Sequence, residues 1–346
     1  MQLNEKEWSE FFIENIFSIQ RGKRLTKDSQ VVGYKPYVSS TAMNNGVDDF
    51  IGNTDDVRVF GNCLTIANSG SVGSSFYHPY NFVASDHVTH LKNDSLSRYS
   101  YIFTIATLNR LSGKYNFNRE INDKRIKREK IILPLTENNR PNWQFMEDYT
   151  QQLMQSKKQD YIAYCQRELA KLTYKEILPL EQKEWGEFFI EDVANVKAGV
   201  RLTKADMTTG NIPFIGSSDS NNGVTAFVSN INKSEDSNIL GVNYNGSVVE
   251  NFYHPYTAMF SDDVKRLSLK DTKGNKFLYL FLKVCILQQK NKYQYAYKFN
   301  EMRLKRQKIL LPITQDEQPD YAYMEQYMIN LEYQKRSHYL SYIQQK

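Results

Sequence analysis

Few side chains in this sequence are suited to chemistry, and most fail the spacing that chemistry would need. His78, His87 and His90 suggest a metal site, but zinc sites favour tighter Cys/His spacing. The second half of the chain answers them with His254, Asp263 and Arg266, so the trio is not a repeated device. Ser85-Asp86 and Ser261-Asp262 set a serine beside a carboxylate without a positioned base, which suits a turn or cap better than a nucleophile. Glu181-Gln182-Lys183 resembles a nuclease fragment but has no suitable carboxylate upstream. There is no glycine-rich phosphate loop or cofactor fingerprint, no H-E-x-x-H, and no adjacent prolines of the Asn-Pro-Pro-Tyr kind found in amino-methyltransferases. The chain reads as non-catalytic and metal-free.

The remaining polar signals suit binding. Arg21-Gly22-Lys23-Arg24-Leu25-Thr26-Lys27 puts cations and a hydroxyl on a glycine-bearing loop, and Arg201-Leu202-Thr203-Lys204 repeats its core. Loops of this kind donate to phosphates and fix register, making Lys23, Arg24, Thr26, Lys27, Arg201, Thr203 and Lys204 candidate DNA contacts. A second basic run, Lys124 to Lys130, returns as Arg303 to Lys308; its plainer reading is a solvated face leading into a strand. The net charge of +5 permits nucleic-acid binding without arguing for it.

These loops belong to a sequence written twice. Glu7-Trp8-Ser9-Glu10-Phe11-Phe12-Ile13-Glu14 returns as Glu184-Trp185-Gly186-Glu187-Phe188-Phe189-Ile190-Glu191, and Asn44-Asn45-Gly46-Val47 as Asn221-Asn222-Gly223-Val224. Gly70-Ser71-Val72 and Phe76-Tyr77-His78-Pro79-Tyr80 return as Gly246-Ser247-Val248 and Phe252-Tyr253-His254-Pro255-Tyr256. Each copy is expected to be a mixed α/β domain with an irregular twisted sheet. Strands are expected around Tyr37–Ser40, Cys63–Ala67, Phe82–Ala84 and Ile131–Leu133, buried helices over Tyr99–Leu111 and Phe277–Gln289, and a short amphipathic lead-in at Trp8.

Each copy ends in a long helix. Pro141 to Leu172 carries Met146, Tyr149, Leu153 and Ile162 at helical spacing, and Met324, Tyr327, Leu331 and Leu340 repeat them after Pro319. A common stripe is most easily buried by pairing the helices antiparallel, about a pseudo-twofold axis. The expected plan is domain 1–140, helix 141–175, domain 176–318, helix 319–346, with Thr173 to Gln182 continuing the first helix into the second domain.

Composition fits two ordinary cores: 346 residues, 40% hydrophobic, with 24 tyrosines suited to interfaces. The three cysteines are scattered and read as reduced; without an apolar run of membrane length or a signal segment, a cytoplasmic location is expected.

Taken together, the tandem plan, the R-L-T-K loop, the N-N-G-V turn, the G-S-V block before F-Y-H-P-Y and the M-E-x-Y helix starts resemble the specificity subunit of Type I restriction–modification systems, and equally the small subunit of the related Type IIB enzymes. The resemblance covers almost the whole chain. It implies two target-recognition domains, each reading half of a split site in double-stranded DNA. It also implies that the long helices act as a ruler and dock DNA adenine methyltransferase subunits, with or without a restriction/motor subunit. No cofactor is expected in this chain; S-adenosylmethionine belongs to the methyltransferase. A helix near 45 Å matches roughly 13 base pairs.

The repeat adds an inference of its own. Residues shared by both copies should serve fold, phosphate contact or docking; residues that differ in matched loops should read bases. Ala67-Asn68-Ser69 stands against Asn243-Tyr244-Asn245, and Gly73-Ser74-Ser75 against Val249-Glu250-Asn251. Asn pairs bidentately with adenine, and Ser and Glu offer other patterns, so the target should have unlike halves. Asn68, Ser69, Ser71, Ser74, Tyr244, Asn245 and Ser247 are the candidates here. The turn residues Asn44, Asn45, Asn221 and Asn222 join them, with Arg119 and Lys298 from the loops Asn116–Arg119 and Tyr295–Lys298. Two other readings make different predictions. A family-derived decoy would bind methyltransferase subunits without reading DNA, and an unrecognised nuclease would damage DNA on its own.

Overall fold

The computed structural model describes residues 2–116, 118–293 and 297–344. The chain divides into two compact units, 1–161 and 162–346.

In the first unit the strands are β1 (Trp8–Phe12), β2 (Ser18–Arg21), β3 (Val32–Val38), β4 (Val47–Ile51), β5 (Val59–Phe60), β6 (Cys63–Ala67), β7 (Ser75–His78), β8 (Phe82–Ala84), β9 (Val88–Lys92) and β10 (Lys130–Pro134). They form an antiparallel β1–β10 pair and two four-stranded sheets, β2-β9-β6-β7 and β4-β3-β8-β5. Only β3 and β8 run parallel, so the domain is mixed. All five residues of β6 are buried, as expected of a short apolar strand covered on both faces. The helices are α1 (Ile13–Ile16), α2 (Arg98–Leu108), α3 (Asp123–Arg128) and α4 (Trp143–Leu169), whose residues from Ile162 onward belong to the second unit.

The second unit repeats this plan. Its strands are β11 (Trp185–Phe189), β12 (Ala194–Ala198), β13 (Thr209–Ile215), β14 (Val224–Val228), β15 (Ile239–Asn243), β16 (Asn251–His254), β17 (Met259–Phe260), β18 (Val264–Leu269) and β19 (Lys308–Pro312). They form the pair β11–β19 and the sheets β12-β18-β15-β16 and β14-β13-β17. Its helices are α5 (Ile190–Val193), α6 (Lys276–Leu287), α7 (Glu301–Lys305) and α8 (Tyr321–Gln344).

The expected strands and buried helices are present, with four corrections. The Trp8 lead-in is strand β1, because residues 8–12 find a complete antiparallel partner in β10, from Trp8 opposite Pro134 to Phe12 opposite Lys130. The first long helix starts two residues after Pro141, where Asn142 Oδ1 accepts from the Phe145 amide at 3.0 Å as an N-cap. Asp320 caps α8 in the same way through the Tyr323 amide.

The third correction concerns the stripe. Met146 and Met324 are buried in the cores of their own domains. Tyr149 meets Phe103 of α2 edge-on, and Tyr327 meets Phe281 of α6 likewise. The first turns of the stripe therefore seat each helix on its own domain, leaving Met146 and Met324 closed to any partner. Leu153 is exposed, whereas Ile162, Leu331 and Leu340 are half-buried.

Fourth, the linker does not continue the helix. Residues 173–179 have no regular secondary structure and run antiparallel along α8 within the second unit. The Thr173 carbonyl accepts from Gln326 at 2.9 Å, both backbone groups of Lys175 bond Asn330, and the Leu178 carbonyl accepts from Tyr323 at 2.8 Å. Side chains of α8 supply the partners that a helical ladder would have supplied.

Candidate nucleic-acid interface

In the first unit, backbone hydrogen bonds draw four loops to one end of the β6–β9 pair. The loop after β2 is held by Gly22 N donating to Val88 O at 2.8 Å and Lys23 N to Ala84 O at 3.0 Å. A Cβ on Gly22 would stand 2.1 Å from the Ser85 carbonyl, so only glycine permits that approach. Ser71 N donates to Ser40 O at 3.0 Å, tying the Gly-Ser-Val loop to the end of β3. Asn68 N donates to His87 O, and Ile121 N to Asn68 O, which brings in the segment leading to α3. Arg24 to Lys27, Ser39-Ser40 and Ser85 to His87 line one open polar cavity of about 340 Å³. The second unit repeats the ties: Val200 N to Phe260 O, Ser247 N to Ser217 O and Tyr244 N to Asp263 O.

The shared residues mostly build this frame. Asn44, Asn45 and Gly46 all have positive φ, as do Asn221, Asn222 and Gly223, so these asparagines make a left-handed turn that Asn and Gly tolerate best. His78 and His254 are fully buried, and burial lowers both imidazoles to about 4. They are core residues, each meeting a tyrosine edge-on (Tyr80 and Tyr256) and packing against a phenylalanine of the other sheet (Phe82 and Phe260). His90 is also buried, stacked on Phe60 at 4.0 Å. Among the described residues no group of three or more His, Cys, Asp or Glu side chains could hold a metal ion.

The differing residues occupy the loop cluster itself. Ser69 Oγ lies 2.7 Å from His87 Nδ1; at the matched place Asn245 Nδ2 donates to Asp263 Oδ1 at 3.0 Å. Each pair spans the same 18 residues, so His87 and Asp263 were findable as partners by comparing the copies. Arg24 and Lys27 are exposed at the cluster, as are Thr26, Arg201, Thr203 and Lys204. Lys23 is engaged by Asp56 and Thr203 by Asp206, while Arg201 lies 3.9 Å from Asp262. Ser71, Ser74 and Ser247 are half-buried on the Gly-Ser-Val loops. Arg119 is exposed, and its backbone pairs with Asn116.

Asn68 is different. It is 1% exposed, and its Oδ1 accepts from Thr89 at 3.0 Å, so it faces inward as a strut rather than outward as a reader. Lys298 is half-buried, and its carbonyl accepts from Arg303 at 2.7 Å; Tyr295, in the same loop, lies outside the described residues. The basic run after Asn122 is helical as α3, capped by Asn122 Oδ1 on the Arg125 amide.

Comparison with known proteins agrees with this plan. The Type I restriction modification DNA specificity domain matches the chain twice, over residues 5–163 and 182–338. The chain is 39% identical over 329 residues to the specificity subunit S.BcgI of the Type II restriction enzyme BgcI from Heyndrickxia coagulans, covering 94% of this chain and 95% of that protein. The crystal structure of a Type-I restriction-modification system S subunit from M. genitalium is similar in fold, with a TM-score of 0.54 at 16% identity, covering 99% of this chain and 95% of the other. With both halves matched by one domain, this chain belongs to the Type I restriction–modification DNA specificity family and carries that domain in tandem.

Proposed function

We propose that the chain is a specificity subunit in which each domain reads one half of a split, asymmetric site in double-stranded DNA. The observation that carries this reading is the pair of loop clusters. The same backbone bonds hold both, yet their side chains differ, as in Ser69–His87 against Asn245–Asp263. Equal frames with unequal side chains suit two readers of two different sequences, because base edges are distinguished by donor and acceptor pattern. Exposed Arg24, Lys27 and Lys204 contact phosphates and fix the register.

The long helices set the spacing. At 27 residues α4 is about 40 Å long, close to about 12 base pairs, so half-sites about one turn apart fit. Leu153, Ile162, Leu331 and Leu340 contribute to docking N6-adenine methyltransferase subunits. Those subunits bring S-adenosylmethionine and do the chemistry, with or without a restriction/motor subunit, and the chain itself catalyses nothing.

The test is adenine-methylation mapping in cells carrying this chain with its methyltransferase, then with the chain deleted. The expected result is a two-part, asymmetric motif that vanishes on deletion. A methylome unchanged by deletion despite a stable complex would refute the reading and favour a decoy.

A further inference from the structure

The two domains differ in both residues at one matched place in the loop cluster. In the first, Asn68 and Thr89 close on each other at 3.0 Å, both 1% exposed. The matched residues in the second are Tyr244 and Lys265, which leave an open cavity of about 450 Å³ lined by Tyr244, Lys265, Asn300, Glu301, Met302 and Lys305. The Lys265 side chain is 11% exposed; its ammonium lies 4.8 Å from the Tyr244 ring centre and 3.7 Å from Glu301 Oε2. Burying a lysine is costly unless it is well paired. Here three donors have one carboxylate at long range and a ring face.

We propose that Tyr244, Lys265 and Glu301 form a base-reading pocket, taking one base-pair edge that presents an acceptor beside an amino donor. This rests on the reading of the chain as a DNA specificity subunit. Lysine supplies the donor and glutamate the acceptor. That pair fits N7 with the N6 amino group of adenine, or guanine O6 with the N4 amino group of its paired cytosine. Glu301 Oε1 also pairs with Lys305 at 2.8 Å, so the lining carries two cations and one carboxylate, and the acceptor beside the lysine is what suits a base edge better than a phosphate. Tyr244 gives the base or its sugar an apolar wall. The first domain has no such reader at the matched place, since Asn68 and Thr89 fill it.

The test compares methylation motifs made by the assembled methyltransferase complex containing wild-type chain, the double variant Tyr244→Asn/Lys265→Thr, and Glu301→Gln. The double variant installs the pair that packs in the first domain. Glu301→Gln changes a partly exposed group, so it keeps the test valid if the double variant misfolds. The expected result is about tenfold loss of discrimination at one position of one half-site, the same position in both variants, with the other half-site unchanged. An unchanged motif in Glu301→Gln overturns the proposal, and so does equal weakening at every position, which marks a phosphate contact. A wild-type complex that yields no two-part motif overturns the parent reading and this one with it.

Discussion

The Asn330 side chain serves the backbone of Lys175 as a neighbouring strand would: its Oδ1 accepts from Lys175 N at 3.1 Å and its Nδ2 donates to Lys175 O at 2.6 Å. Asn330 is only 7% exposed, so water replaces these bonds poorly. Asn330→Ala should destabilise the second unit by about 2 kcal/mol, two ordinary hydrogen bonds, and loosen residues 173–178. Urea unfolding and limited proteolysis check this; an intact linker in Asn330→Ala would contradict it.

Acid should weaken both domains through their buried imidazoles. His78 and His254 sit at about 4 instead of 6.5 because burial disfavours the charged form. Above pH 6.5 they are neutral folded or unfolded and contribute no pH dependence. Between 6.5 and 4 the unfolded chain takes up protons that the folded chain refuses, so stability falls with pH. By pH 5 the loss should approach roughly 2 kcal/mol per histidine, seen as a lower urea midpoint than at pH 7. Replacing either with phenylalanine should flatten that domain's acid limb.

Lengthening α4 tests the ruler. Four residues inserted after Met154 add about 6 Å, or roughly two base pairs. The preferred spacer should lengthen accordingly while both half-site sequences stay the same. A fixed spacer preference in methylation mapping would sink the idea.

Arg24 and Lys27 should act on affinity and leave sequence choice alone. Each alanine variant should lower the magnitude of the salt slope of DNA binding by about 1, on cognate and unrelated duplexes alike. Binding by the assembled complex, titrated at several salt concentrations, measures it; a change confined to the cognate duplex would mean base contact.

Core anchoring of the helices predicts a local penalty. Met324→Ala should cost about 2–4 kcal/mol, with hydrogen exchange rising around α6 and the start of α8, because Met324 packs in the core that contains Leu278 and Leu282.

Most of this plan was written in the sequence. The repeat exposed the tandem domains, because both copies must satisfy the same backbone. The β-branched, mostly apolar run Cys63-Leu64-Thr65-Ile66-Ala67 marked β6, and the Asn-Asn-Gly turns and long helices showed by composition and period. Strand β1 was less visible, since Trp8-Ser9-Glu10-Phe11-Phe12 becomes a strand only when β10, far along the chain, pairs with it. The stripe likewise marked Met146 and Met324 for burial, but the expected neighbour, the other long helix, was not theirs. Helical periodicity fixes a face, and only packing chooses the neighbour, which in each case was the helix's own domain.

The site divides in the same way. Sequence alone located the loops and named which residues differ between copies, because repetition separates frame from reader. Tertiary structure decided which of those residues face out. Asn68 turns inward because Thr89 offers a buried partner at 3.0 Å, whereas Tyr244, matched to it, sets its ring 4.8 Å from the Lys265 ammonium beside an open pocket. That choice depends on strand neighbours distant in sequence, whose hydrogen bonds and volumes meet only when the sheet forms.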